Sequence, residues 1–170
     1  MKRVSCIAFV FLSLSFAACK KSLPQLPANK GVETDSTSRT LLKINNALIV
    51  KEDSAIRKFA ESNGSFQKNG LGFWYKVFKA GTGQAITDSL TCNYEFRIEN
   101  LDGRLLQKGI NRIVIGKKQT IVGIEEGLKM MHKGDSAVFV IPWYLGYGIN
   151  GAEPLFKPYE SLLCRIKVKN

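Results

Sequence analysis

From residue 90 to residue 99 the side chains alternate without a break. Leu90, Cys92, Tyr94, Phe96 and Ile98 are apolar or aromatic, whereas Thr91, Asn93, Glu95, Arg97 and Glu99 are polar. Successive side chains point to opposite sides only in an extended chain, so this run predicts a strand with one face buried. The alternation returns in Ala137, Phe139 and Ile141, and again where Leu162, Cys164, Ile166 and Val168 oppose Leu163, Arg165, Lys167 and Lys169. Asp102-Gly103 supplies a hairpin turn, followed by strand-like residues 104–107 and 112–115. A shorter strand over 73–79 comes earlier and closes on Ala80-Gly81-Thr82-Gly83. Between the strands, Ile121, Ile124, Leu128 and Met131 recur on one helical face, with Gly134 as the expected C-cap. Strands surrounding one short helix predict an α+β domain whose antiparallel sheet curls over that helix.

The segment before this domain reads differently. Leu41, Leu42, Ile44, Leu48 and Ile49 form one apolar stripe, and Ile56, Phe59 and Ala60 another. One or two amphipathic helices are expected over 39–64, with Asp53 capping the second and Asn63-Gly64 ending it. They are expected to pack on the domain, or to serve a dimer or an envelope partner.

Residues 1–18 carry an address. Lys2-Arg3 precede an apolar run of 15 residues that ends in Phe16-Ala17-Ala18-Cys19. A short positive region, an apolar core and small residues before a cut describe a secretory signal peptide. The run falls short of the roughly 20 residues a membrane span needs. Small residues followed by Cys resemble a bacterial lipobox, although Phe16 stands where Leu is usual. That resemblance implies cleavage before Cys19 and lipid on its thiol. Residues 19–38, rich in Pro, Ser, Thr, Asn and Lys, then read as a tether and 65–170 as the folded domain. Lys20-Lys21-Ser22 lacks the acidic run that resembles a surface-export signal, so the domain is expected in the cell envelope, facing the periplasm.

With Cys6 in the signal and Cys19 lipidated, Cys92 and Cys164 remain for the domain. Both fall on apolar strand faces, where buried thiols are expected; an exported compartment also permits a bridge between them. The formal charge of +11 includes Lys2 and Arg3, which leave with the signal. Its cations come in scattered pairs such as Lys20-Lys21 and Lys117-Lys118, which predicts a solvated basic surface and not nucleic-acid binding.

Several chemistries lack their residues. His132 is the only histidine, and no CxxC or HExxH occurs, so no transition-metal site is expected. Glu125 and Glu126 are adjacent on a helix and point apart, which is poor for paired-carboxylate catalysis. Gly81-Thr82-Gly83 has neither the Lys nor the helix of a phosphate loop.

What the chain does contain is a constellation: Gly123-Ile124-Glu125-Glu126-Gly127, then Met131-His132-Lys133-Gly134-Asp135, then Leu145-Gly146-Tyr147-Gly148 and a last alternating strand. From about Gly70 onward this resembles the FKBP-type peptidyl-prolyl cis-trans isomerases, without a gap from Gly116. The resemblance implies an FKBP-like half-barrel and rotation of X-Pro bonds without metal, cofactor or nucleophile. It makes Ile121 (through its backbone N–H) and Tyr147 (through its hydroxyl) the catalytic pair. Thr120-Ile121 stand where the family has Val-Ile, and residues 148–159 resemble its flap, with Leu155 and Phe156 at the apolar tip. Lys157-Pro158 replace a Pro-Pro pair.

The pattern also departs from the family. Ile124 replaces the Trp of the pocket floor, Phe96 a Tyr, Leu106-Gln107 a Phe-Asp pair and Cys164 a Phe. Asn111 falls where another aromatic is usual, and Ile113 is the apolar wall residue nearby. Phe96, Leu106, Gln107, Ile113, Thr120, Ile124, Leu155, Phe156 and Cys164 thus become the expected substrate-binding set. A wider, less aromatic pocket is implied, with reduced isomerase activity and poor binding of the family's macrolide inhibitors. The lipidated start and leading helices further resemble envelope lipoproteins of gliding bacteria of the Bacteroidota type. The expected partners are proline-containing exported polypeptides and the membrane through Cys19. The rival reading is a catalytically weak chaperone or assembly factor of an envelope machine.

Overall fold

The computed structural model describes residues 36–169; the signal segment, Cys19 and most of the expected tether lie outside the described residues. The chain divides into two units, 1–42 and 43–170. Helix α1 (Ser36–Ser62) begins in the first, inside the segment expected to be tether, and the second holds the rest of the fold. Among the described residues, no helix is long and apolar enough to cross a membrane.

α1 is one continuous helix and not two. Asp53 does not cap it. Its carboxylate lies mid-helix and accepts from Lys68 Nζ at 2.5 Å and from Arg57 at 3.3 Å. The Lys68 hydrogen bond holds the Asp53 carboxyl below the usual carboxylate range. The helix does end where Asn63-Gly64 predicts. The Asn63 N–H and side-chain amide both donate to the Phe59 carbonyl, and Gly64 takes φ +111°.

Six antiparallel strands follow: β1 (Gln67–Lys68), β2 (Trp74–Lys79), β3 (Thr91–Asn100), β4 (Leu105–Val114), β5 (Ser136–Ile141) and β6 (Leu162–Val168). They lie in the order β1-β2-β5-β6-β3-β4, an open sheet. β3 and β4 form the hairpin expected at Asp102-Gly103, where Gly103 has φ +86°. The two short strands expected over 104–107 and 112–115 are one uninterrupted β4. Its middle carries Lys108, Gly109 and Asn111, which hide the alternation, but pairing with β3 supplies the order that local pattern lacks.

Helix α2 (Val122–Lys129) crosses one face of the sheet. It ends at Met130, not at Gly134, which takes φ +88° in the turn leading into β5. Gly123 and Gly127 set the approach of helix to sheet. A Cβ at Gly123 would meet Ile141, and one at Gly127 would lie 2.9 Å from the Phe139 ring. Under α2 lies the main core, built on Phe73, Tyr94, Ile98, Leu128, Phe139 and Ile166.

β5 departs from the alternation expected of it, being buried on both faces. The C-terminal half of α1 causes this. Ile56, with Phe59 beside it, packs against Val138, Val140 and Leu163 on the face opposite α2, forming a second apolar cluster. The Ser161 hydroxyl donates to Glu52, joining α1 to the start of β6. Cys92 and Cys164 are buried free thiols, and burial pushes the Cys164 thiol far up.

Candidate functional site

A cavity of about 380 Å³ opens where the N-terminus of α2 meets the concave face of β3 and β4. Its floor is Ile121 and Ile124, its strand wall is Tyr94, Phe96 and Ile98, and Gln107 and Asn111 line the β4 side. Lys118, Gln119 and Thr120 form the rim before the helix, and Tyr147 closes the opposite side. Among the expected site residues, Phe96, Gln107, Thr120, Ile121, Ile124 and Tyr147 therefore converge on one cavity.

The others are placed elsewhere. Leu106, Ile113 and Cys164 belong to the packed core and do not line the cavity. Phe156 is buried behind Tyr147, its ring stacked on the phenol at 3.9 Å between centroids. Leu155 is exposed on the loop and lines no part of the cavity.

Each polar group in the cavity has a local cause. Ile121 precedes the first helical residue with an extended backbone (φ −64°, ψ 149°), and its carbonyl accepts from Ile124 and Glu125. The Ile121 N–H makes no hydrogen bond among the described residues. It is one of the donors that every helix start leaves over. The loop before it is held by Gln119, whose side-chain oxygen accepts from the Val114 N–H at 2.7 Å, and by the buried Glu125 carboxylate, which accepts from the Gly116 N–H.

Tyr147 follows a short 3₁₀ turn (Trp143–Leu145). The next residue, Gly148, at φ +71°, donates to the Trp143 carbonyl at 2.9 Å and accepts from the Tyr159 N–H at 3.1 Å. This clamps both ends of the flap loop, while Phe156 holds the ring from behind. The Tyr147 hydroxyl has no hydrogen-bond partner among the described residues. Burial pushes its phenol above the ordinary value, with Cys164 and Tyr94 adding to the effect. Burial also raises the Tyr94 phenol, against hydrogen bonds from Thr120 and Asn111, and Asn111 Nδ2 donates to that hydroxyl at 3.3 Å.

Tyr94, Ile98, Lys118 and Gln119 were not among the expected site residues. For the first two a signal existed: they share the parity of Phe96, so any cavity touching Phe96 on β3 meets its neighbours two residues away. Lys118, at φ +52°, and Gln119 enter through loop geometry that no periodicity encodes. No group of three or more His, Cys, Asp or Glu able to hold a metal exists among the described residues. The arrangement offers one backbone donor, two neutral phenols and an apolar floor, suited to holding a peptide bond out of water.

Comparison with known proteins gives these features a setting. Residues 81–169 match the family model of FKBP-type peptidyl-prolyl cis-trans isomerases. A probable FKBP-type isomerase of Haemophilus influenzae is 32% identical over 102 residues, covering 57% of this chain and 42% of that protein. The isomerase Mip of Coxiella burnetii is 33% identical over 102 residues, 57% of this chain and 44% of its own. The chain thus spans less than half the length of these curated relatives. Among solved structures, FkpA from Escherichia coli superposes with a TM-score of 0.63 at 26% identity, over 79% of this chain and 64% of that one.

Proposed function

The chain belongs to the FKBP-type peptidyl-prolyl cis-trans isomerase family, and from that premise we propose that it rotates X-Pro bonds of exported polypeptides in the cavity over α2. One observation carries the reading: the unpaired Ile121 N–H and the unpaired Tyr147 hydroxyl border the same cavity, whose floor is apolar and whose rim is polar.

The barrier to X-Pro rotation, about 20 kcal/mol, comes from amide resonance. Twisting the bond breaks that resonance and makes the amide less polar. A cavity floored by Ile121 and Ile124 and walled by Phe96 therefore disfavours the planar amide more than the twisted one, and so lowers the barrier. The Ile121 N–H holds the carbonyl before the proline and the Tyr147 hydroxyl a carbonyl beyond it, so that only the central bond turns. No covalent bond forms and no proton moves. Leu106, with Ile113 and Cys164, supports the wall from the core, and Phe156 fixes the Tyr147 ring.

In this reading lipid on Cys19 holds the domain at the envelope, facing the periplasm. Clients that belong to an envelope machine are part of this reading, on the sequence resemblance to lipoproteins of gliding Bacteroidota alone. Apolar side chains left exposed on α1, among them Ile44, Ile49 and Val50, are then available to a second chain, either another copy or an envelope partner.

The test is cis/trans exchange of a short Leu-Pro or Phe-Pro peptide followed by NMR with the mature chain. Acceleration is expected, and Tyr147→Phe should reduce kcat/KM about fivefold, the worth of one hydrogen bond near 1 kcal/mol. A folded chain that leaves exchange at its spontaneous rate would overturn the assignment.

A further inference from the structure

The face of the sheet away from α2 is covered by α1 only at one end. Pairing across the strands puts Lys76, Val138, Arg165, Arg97 and Lys108 in one lateral row, from β2 to β4. The next row away from α1 is Lys79, Ser136, Lys167, Glu95 and Ile110. These rows bring together six cations that sequence order scatters over 92 residues. Two carboxylates accompany them: Glu95 pairs with Lys169, and Glu99 with Arg97 and Arg165. Lys76, Lys79, Lys108 and Lys167 make no ion pair among the described residues. Two apolar side chains flank the cations, Phe78 at 61% exposure on β2 and Ile110 at 71% on β4. They border one shallow depression of about 730 Å³ that also includes Lys79, Lys108 and Lys167.

We propose that this bare half of the sheet docks on an anionic bilayer surface, with the cations against lipid headgroups and Phe78 and Ile110 entering the interface. Unpaired lysines spread over a broad face add about 1 kcal/mol each near an anionic leaflet, without needing a shaped partner. Apolar side chains beside a cationic field are the arrangement by which peripheral proteins lie in an interface. An acidic protein partner would favour an apolar centre with a charged rim. Here the middle strands β6 and β3 carry charged residues, and Phe78 and Ile110 stand with the unpaired Lys79 and Lys108 on the flanking strands β2 and β4. The proposed lipid on Cys19 adds proximity, and the inference rests on that reading for this alone. The 17 residues from Cys19 to Ser36 reach at most about 60 Å, so the domain never leaves the neighbourhood of the bilayer and weak docking suffices. Docked this way, the sheet turns its opposite face, with α2 and the cavity, away from the lipid and toward clients.

The test separates docking from anchoring. The mature chain carrying Cys19→Ser, and hence no lipid, is sedimented with vesicles of phosphatidylcholine alone or with 30% phosphatidylglycerol (about one lipid in three, enough for a negative surface potential). Binding is expected only to the anionic vesicles, lost at about 0.5 M salt, and weakened at least tenfold in K79E/K108E/K167E. Phe78→Ser with Ile110→Ser should weaken it independently at low salt. Peptide isomerisation by the charge variant should equal that of the parent, which also shows that it is folded. Equal binding to both vesicle types, or no effect of the charge reversals, would overturn the proposal. So would binding to polyglutamate in place of vesicles, which would assign the face to an acidic polypeptide.

Discussion

Tyr147 gives the cavity its side-chain donor because its phenol is kept neutral, as is that of Tyr94 on the cavity wall. Burial raises both above the ordinary value near 10, so neither ionises across the physiological range and each remains able to donate. Isomerisation by this site should therefore be flat from about pH 5 to pH 9. A fall toward alkaline pH is expected only above the usual tyrosine range, as the phenols lose their protons. A bell-shaped profile of kcat/KM centred near neutrality would instead point to proton transfer by a group such as His, Asp, Glu or Cys, none of which lines this cavity. Tyr94 also carries a smaller prediction. Its hydroxyl accepts from Asn111 at 3.3 Å, so Tyr94→Phe should cost about 0.5–1.5 kcal/mol of stability, measured by urea unfolding. With the ring unchanged, it should alter KM little.

At the scale of elements, α2 is the piece whose position decides whether a cavity exists, and two glycines decide that position. Gly123→Ala would drive a methyl into Ile141 and Gly127→Ala one into Phe139, both fully buried on β5. Helix propensity alone favours Ala by up to about 1 kcal/mol, so a gain in thermal stability is the naive expectation. Overpacking of about 1–3 kcal/mol should win. Each variant should melt lower than the parent, and displacement of Ile121 and Ile124 should raise KM in the fraction that folds. Strands β3 and β6 and helix α2 were legible because their period is unbroken over seven or more residues. That Ile121 and Tyr147 border one cavity followed from the family resemblance and not from periodicity. β4 was not, since its polar middle is ordered by β3 and not by its own pattern. The core positions of Leu106, Ile113 and Cys164 were not legible either: period two shows that a side chain faces inward, but not whether it meets packed neighbours or open space.

Considered as a whole molecule, the sheet is a wall with different occupants on its two sides. α2 and the cavity lie on one, and on the other are the second half of α1 and a bare cationic field. Alternation in the sequence distinguishes the sides without saying what covers the outer one. Val138, Val140 and Leu163 hint at a cover, and Ile56 and Phe59 on α1 supply it. The cations of Arg97, Arg165 and Lys167 look scattered along the chain, and only strand order gathers them. Because β5 and β6 contribute to both apolar clusters, stability should be shared across the wall while chemistry is not. Ile56 is 1% exposed and touches only the α1 side. Ile56→Ala should therefore destabilise the domain by about 2–4 kcal/mol, with tryptophan fluorescence and circular dichroism reporting one shared transition. Below that transition, kcat/KM toward an X-Pro peptide should equal the parent's. If the two probes separate, α1 unfolds as a unit of its own and the wall is not cooperative. If they coincide but kcat/KM falls, packing on the outer face reaches the cavity through β5, and α1 becomes part of the machinery that sets the rate.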